Sequence, residues 1–145
     1  MKKIFMIEDN EDHALLIRRT IEDSGCIVTH YQDGLEALKA CKEIQAGDSK
    51  PDLIFLDLKL PGMDGFDVLK NLKLIKGFEQ IPVVMLTTSR RREEIIKAYQ
   101  LGAVGFVVKS EDFEDLTAKL KCVKDYWFRT VEMPQSQPVV SAGER

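Results

Sequence analysis

Five short apolar runs, each halted by a polar residue and each followed by a stretch of helical spacing, constrain this chain more than any other feature. They are Ile4-Phe5-Met6-Ile7, Cys26 to Tyr31, Leu53-Ile54-Phe55-Leu56, Ile81-Pro82-Val83-Val84-Met85-Leu86 and Gly105-Phe106-Val107-Val108. Four apolar residues in a row, as at Leu53–Leu56, are the habit of a strand buried on both faces of a parallel sheet. Between the runs the apolar spacing becomes three and four. One helix is expected to about Ser24, with Ala14, Ile17 and Ile21 on its inner face. Asp33 opens a second, with Glu36 three residues on, a capping-box pattern. Its buried stripe is Ala37, Leu38, Cys41 and Ile44. A third runs from about Phe66 to Ile75, a fourth from about Arg91 to Leu101. The last runs from about Glu111 to Phe128, with Phe113, Leu116, Leu120, Val123 and Trp127 as its stripe. Strands alternating with helices predict an α/β fold with a parallel sheet.

At 145 residues the length suits one domain with its own core, and 44% hydrophobic residues exclude wholesale disorder. A net charge of −3 argues against sequence-independent nucleic-acid binding, which needs a basic surplus. No apolar run reaches membrane-spanning length, and Met1-Lys2-Lys3-Ile4 leads into a strand rather than a signal peptide. Cys26, Cys41 and Cys122 fit neither a disulfide frame nor a zinc site, so a reducing, cytoplasmic setting is expected. From Thr130 onward Pro, Gln and Ser dominate, which predicts a folded unit over 1–129 and a mobile tail over 130–145.

The residues that halt the runs carry the chemistry. They are Glu8 and Asp9, Asp57, Thr87 and Lys109. In a parallel sheet all lie at the carboxyl edge, where ligands of such folds bind. Crowded carboxylates raise each other's pKa unless a cation compensates, and Mg²⁺ is the natural one for oxygen donors. Asp9 and Asp57 are candidates for direct ligation, with Glu8 acting through water. Lys109 supplies a second cation, and Thr87 can donate a hydrogen bond to an added oxygen. This set suits phosphoryl transfer onto Asp57 as nucleophile. Each residue alone also has a plain reading as a helix cap, a backbone-satisfying hydroxyl or a solvated surface charge.

With these residues in hand, the chain resembles a two-component response-regulator receiver domain (CheY-like) over about residues 2 to 128. Glu8-Asp9 resembles the family's acidic pair, with Glu where Asp is commoner. Leu56-Asp57 through Pro61-Gly62-Met63-Asp64-Gly65 resembles its phosphoacceptor strand and loop. Leu86-Thr87 matches the switch hydroxyl, and Gly105-Phe106-Val107-Val108-Lys109 the aromatic switch and the lysine. The resemblance implies a flavodoxin-like (βα)5 three-layer sandwich of strand order 2-1-3-4-5. It also implies Mg²⁺ held by Glu8, Asp9, Asp57 and the backbone carbonyl of Lys59. Phosphorylation of Asp57 would then move Thr87 and Phe106, although Phe106 also reads as a core aromatic. One departure stands out: Ser110 follows Lys109, where the family usually has proline joined by a cis bond. A cis bond before a non-proline residue costs about 2.5–4 kcal/mol, which leaves the geometry of that loop open.

The resemblance implies a sensor histidine kinase or phosphotransfer protein as donor and a downstream protein as target. With no room for a DNA-binding domain, direct DNA binding and membrane association are not expected. Arg90-Arg91-Arg92 reads as solvated charge or as a docking surface. Lys109 to Phe113 and Tyr126 to Pro134 resemble the stand-alone regulators that partner phytochrome-type histidine kinases. Tyr126, Trp127 and Phe128 are consecutive, so at least one projects from the helix. A homodimer through helix 4, strand 5, helix 5 and the C-terminal segment is expected. The competing function is a Mg²⁺-dependent phosphohydrolase with Asp57 as nucleophile, although Lys59 stands where such an enzyme commonly wants a second acid.

Overall fold

The computed structural model describes residues 1–23, 25–44 and 49–133. In chain order the elements are β1 (Lys2–Ile7), α1 (Glu11–Ile21), β2 (Cys26–Tyr31), α2 (Gly34–Ile44), β3 (Leu53–Leu56), α3 (Gly65–Leu74), β4 (Val83–Thr87), α4 (Arg92–Gln100), β5 (Gly105–Val108) and α5 (Phe113–Asp125). A π-helical turn, Tyr126–Thr130, extends α5. The strands form one parallel sheet of order β2-β1-β3-β4-β5, as expected.

Period-two side-chain direction turns each apolar run into two half-cores. Phe5, Ile7, Ile54, Leu56, Val83 and Met85 point to one face, where Ala37, Leu38 and Cys41 of α2, Leu69 and Leu72 of α3, and Ala98 of α4 cover them. Ile4, Met6, Leu53, Phe55, Val84 and Leu86 point to the other, covered by Ala14, Ile17 and Ile21 of α1 and Leu116 and Leu120 of α5. β1, β3 and β4 therefore lie inside the sheet with helices on both faces. β2 and β5 form its edges, and every residue of β5 is only half-buried.

Helix starts follow local capping. Asn10 accepts from His13 N, Asp33 from Glu36 N, Asp64 from Asp67 N, and Asp112 from Glu114 N and Asp115 N. The α4 start has no side-chain cap bond: Arg91 occupies that position. Several boundaries differ from the sequence reading. α1 ends at Ile21, because Glu22 is extended and its carboxylate accepts the Val28 N–H; Ser24 lies outside the described residues. β4 starts at Val83 rather than Ile81, since Pro82 has no N–H to donate and offers only its carbonyl, to Ile54. Phe113 is 63% exposed instead of buried. It is the first residue of α5, four residues past Lys109 at the end of β5, and the buried stripe begins one turn later at Leu116. Of the three consecutive aromatics, Tyr126 is the exposed one, while Trp127 and Phe128 pack against the α1–α5 core. Thr130 is the last residue of the π turn; of the tail expected over 130–145, residues 134–145 lie outside the described residues.

The loop between β3 and α3 returns tightly. Gly62 has φ +76°, a left-handed conformation that glycine adopts without strain. Gly65 N donates to Leu58 O at 2.8 Å, and a Cβ on Gly65 would lie 2.3 Å from Asp57 O and 2.6 Å from Leu58 Cα. Both neighbours are backbone and cannot rotate away. Gly65→Ala is expected to destabilise the protein by about 1–3 kcal/mol, the usual cost of overpacking. Urea unfolding checks this through a lower midpoint at unchanged m.

Candidate functional site

Strand register brings the residues together. Ile7 pairs with Leu56 in the β1–β3 ladder, and Asp57 N donates to Ile7 O at 3.1 Å, so Glu8 and Asp57 leave adjacent strand ends side by side. Thr87 pairs with Val108, and Lys109 N extends that ladder to Thr87 O at 2.8 Å. Glu8, Asp57, Thr87 and Lys109 are all buried, whereas Asp9 is exposed at the rim. Carboxylate oxygens of Glu8, Asp9 and Asp57 lie within 4.8 Å of one another. Three hard oxygen donors, two of them buried, fit a divalent ion such as Mg²⁺ or Mn²⁺ better than a thiolate-seeking one.

Lys109 reaches across the sheet to compensate these acids. Its ammonium donates to Glu8 Oε1, to Asp57 Oδ2 at 3.1 Å and to His13 Nδ1 at 3.0 Å. The other oxygens are held by backbone: Asp57 Oδ1 accepts from Lys59 N at 3.2 Å, and Glu8 Oε2 from Asn10 N at 3.2 Å. Lys59 thus contributes its amide to the site while its side chain stays exposed. Thr87 Oγ1 accepts a long bond from Ser89 N, 3.4 Å, and its O–H has no acceptor among the described residues. Phe106 on β5 is half-buried and packs against the α2–α3–α4 core.

Ser110, where the family usually has proline, sits in an ordinary trans loop; the described residues contain no cis peptide. Its Oγ accepts the Asp112 N–H at 3.0 Å, and Asp112 in turn caps α5. The loop that carries Lys109 is therefore closed by a hydroxyl.

Both histidines of the chain belong to the site, and neither stood out in the sequence. His30 Nε2 lies 2.6 Å from the Glu8 carbonyl, an arrangement that requires this nitrogen to donate. His13 faces Lys109 from the first turn of α1. Alternation along β2 and the Asn10 cap were the available signals, but both leave the target of an imidazole unspecified.

Burial dominates the protonation of Glu8. It pushes the carboxyl up to about 7; the Asp57 charge adds to the rise, and Lys109 opposes it. Burial, followed by the charge of Lys109, holds His13 below the usual imidazole range.

Residues 4–121 match the response regulator receiver domain family. The chain belongs to that family. It is 36% identical over 127 residues to the probable methanogenesis regulatory protein FilR2 of Methanothrix harundinacea, covering 86% of this chain and 82% of that protein. It is 31% identical over 139 residues to the response regulator Rcp1 of Synechocystis, covering 92% and 93%. The crystal structure of the phosphorylated cyanobacterial phytochrome response regulator RcpA superposes with TM-score 0.83 at 35% identity, over 92% of this chain and 99% of that one. The Mn²⁺-bound form of Rcp1 superposes equally well, TM-score 0.83, over 92% and 99% at 31% identity. Receiver domains are the phospho-accepting modules of two-component signalling: histidine kinases phosphorylate them, and they bind a divalent metal. No described helix of this receiver is long and apolar enough to cross a membrane.

The raised pKa of Glu8 has a measurable consequence in the metal-free protein. The folded state holds this proton more tightly than the unfolded chain, whose carboxyl titrates near 4.5. The Glu8 contribution to stability is thus full below about 4.5 and is lost as pH rises to about 7. His13, held down, works in the opposite sense below 6.5. In chelator, denaturant unfolding from pH 4.5 to 7.5 should show Glu8→Gln gaining stability over wild type as pH increases. A constant difference between the two proteins across that range would contradict the assignment.

Proposed function

We propose that this chain is a response-regulator receiver in which Asp57 accepts a phosphoryl group from a histidine kinase or phosphotransfer protein in a Mg²⁺-dependent reaction. The observation that supports it most is the state of the Asp57 carboxylate, which ends a fully buried strand with one oxygen held by Lys59 N and the other by Lys109. An Asp57 oxygen attacks phosphorus; as that P–O bond forms, the donor's P–N or acyl P–O bond breaks and the donor leaves with the electron pair. Lys109 moves its positive charge onto the arriving phosphoryl oxygens. Glu8, Asp9, Asp57 and the Lys59 carbonyl would hold Mg²⁺, which when bound offsets charge on the transferring group. The Thr87 hydroxyl then donates to a phosphoryl oxygen, and Phe106 turns inward behind it.

The readout follows from where Phe106 sits. It lines a surface cavity of about 520 Å³ with Val107, Val108, Ala118, Cys122 and Val123, along β5 and α5. Ile96 and Tyr99 of α4, the helix that precedes β5 in the chain, are exposed. We assign the output, including homodimerisation together with the C-terminal segment, to this α4–β5–α5 face. Over 1–129 the chain then acts as receiver, and 130–145 as its tail. A phytochrome-type histidine kinase is the partner this reading favours, on the strength of the likeness to the cyanobacterial phytochrome response regulator RcpA over nearly the whole chain.

Intact-mass analysis after incubation with Mg²⁺ and acetyl phosphate tests the central claim. A single phosphoryl adduct is expected on the wild type, absent from Asp57→Asn and from the wild type in chelator. Continuous phosphate release without an adduct would instead identify a phosphohydrolase. Sedimentation of the phosphorylated and unphosphorylated protein tests the dimer, which is expected to strengthen on phosphorylation and weaken in Tyr99→Glu. Phosphotransfer from a phytochrome-type kinase should outpace transfer from an unrelated histidine kinase.

A further inference from the structure

An ammonium group has three N–H bonds, and in this structure all three of Lys109 are taken. Two go to the buried carboxylates of Glu8 and Asp57. The third goes to His13 Nδ1 at 3.0 Å, which requires the Nδ1 lone pair to face the ammonium and the ring to carry its proton on Nε2. The backbone that carries the imidazole is fixed by its own helix start, since His13 N donates to the Asn10 side chain at 3.0 Å. The hydrogen-bond partner of the ring itself is Lys109.

A lysine whose three donors are satisfied cannot bond a phosphoryl oxygen without giving one up. Glu8 and Asp57 are buried carboxylates, and the bonds that Lys109 makes to them are charge-assisted, the stronger kind. His13 is neutral as an acceptor and its side chain is 37% exposed, so water can take over its lone pair. It is the acceptor that gives way most easily.

We propose that His13 is a positioning residue for Lys109: it holds the third ammonium N–H in the resting site and must release it before that N–H can turn to the phosphoryl group, so it restrains phosphorylation. The inference rests on Asp57 being the phosphoacceptor. An interaction made in the resting state and lost in the transition state lowers the rate, and its removal raises it.

The test uses the full chain, acetyl phosphate and saturating Mg²⁺, and follows the rate of adduct formation by intact mass. His13→Leu, which has no acceptor, is expected to phosphorylate about three- to tenfold faster, the factor one such hydrogen bond is worth. His13→Asn, whose side-chain oxygen takes the place of Nδ1, is expected to restore the slower wild-type rate. Urea midpoints for each protein separate this effect from a general loosening of α1, which would move both variants alike. A His13→Leu rate equal to or below wild type overturns the proposal, as does equal acceleration in His13→Asn. No adduct on the wild type would overturn the phosphoacceptor reading itself, and this inference with it.

Discussion

Bringing two or three carboxylates to one sheet edge is unfavourable unless a cation meets them, and Lys109 is that cation. Its ion pairs join residues 101 and 52 positions apart in the chain, tying β5 to β1 and β3 at the edge where the ladders end. Every strand of the sheet except β2 contributes a side chain to this cluster or to its rim, and β2 supplies His30 against the Glu8 carbonyl. The apolar core specifies which strands are neighbours. The charge cluster depends on their register, because a one-residue slip would turn Asp57 onto a helix-covered face. A buried ion pair of this kind adds little net stability against an apolar alternative, so its presence speaks for chemistry more than for folding.

The acids are held by unequal means. Glu8 is deep, bonded to Lys109 and to Asn10 N, with a proton affinity raised by burial. Asp57 lies at the end of β3, with one oxygen on backbone and one on Lys109. Asp9 is exposed and meets solvent first. A graded ring of this sort would let a partly hydrated divalent ion approach from the rim while the Asp57 carboxylate keeps a fixed orientation.

The sheet, its order and the edge where function gathers were legible in the sequence because β1, β3 and β4 are apolar on both faces and stop abruptly. Glu8, Asp57 and Thr87 are visible as the residues that stop them, and Lys109 as the residue that stops β5. What escaped has physical reasons. Phe113 continues the helical period of α5 perfectly well, but periodicity says nothing about where the covering sheet runs out. Pro82 belongs to an apolar run yet cannot pair through an N–H, so β4 is shorter than its hydrophobicity suggests. His13 and His30 sit in polar or alternating surroundings, and their meaning depends on distances between elements. Ser110 was visible as a departure, whereas its use as the acceptor for Asp112 N depends on the loop conformation.

The opposite edge of the sheet is built differently. There Lys2 N meets Gly25 O, Asp52 N meets Lys3 O, the Asp52 carboxylate accepts from Lys3 N, and the Lys124 ammonium binds Ile21 O and Asp23. These contacts knit α1, α5, β1 and β2 together without a single residue of the acidic cluster. The domain consequently carries its acidic cluster at one pole and none of it at the other, a full strand length apart. A probe or tether attached at the pole without the cluster would ride on the scaffold without touching those acids.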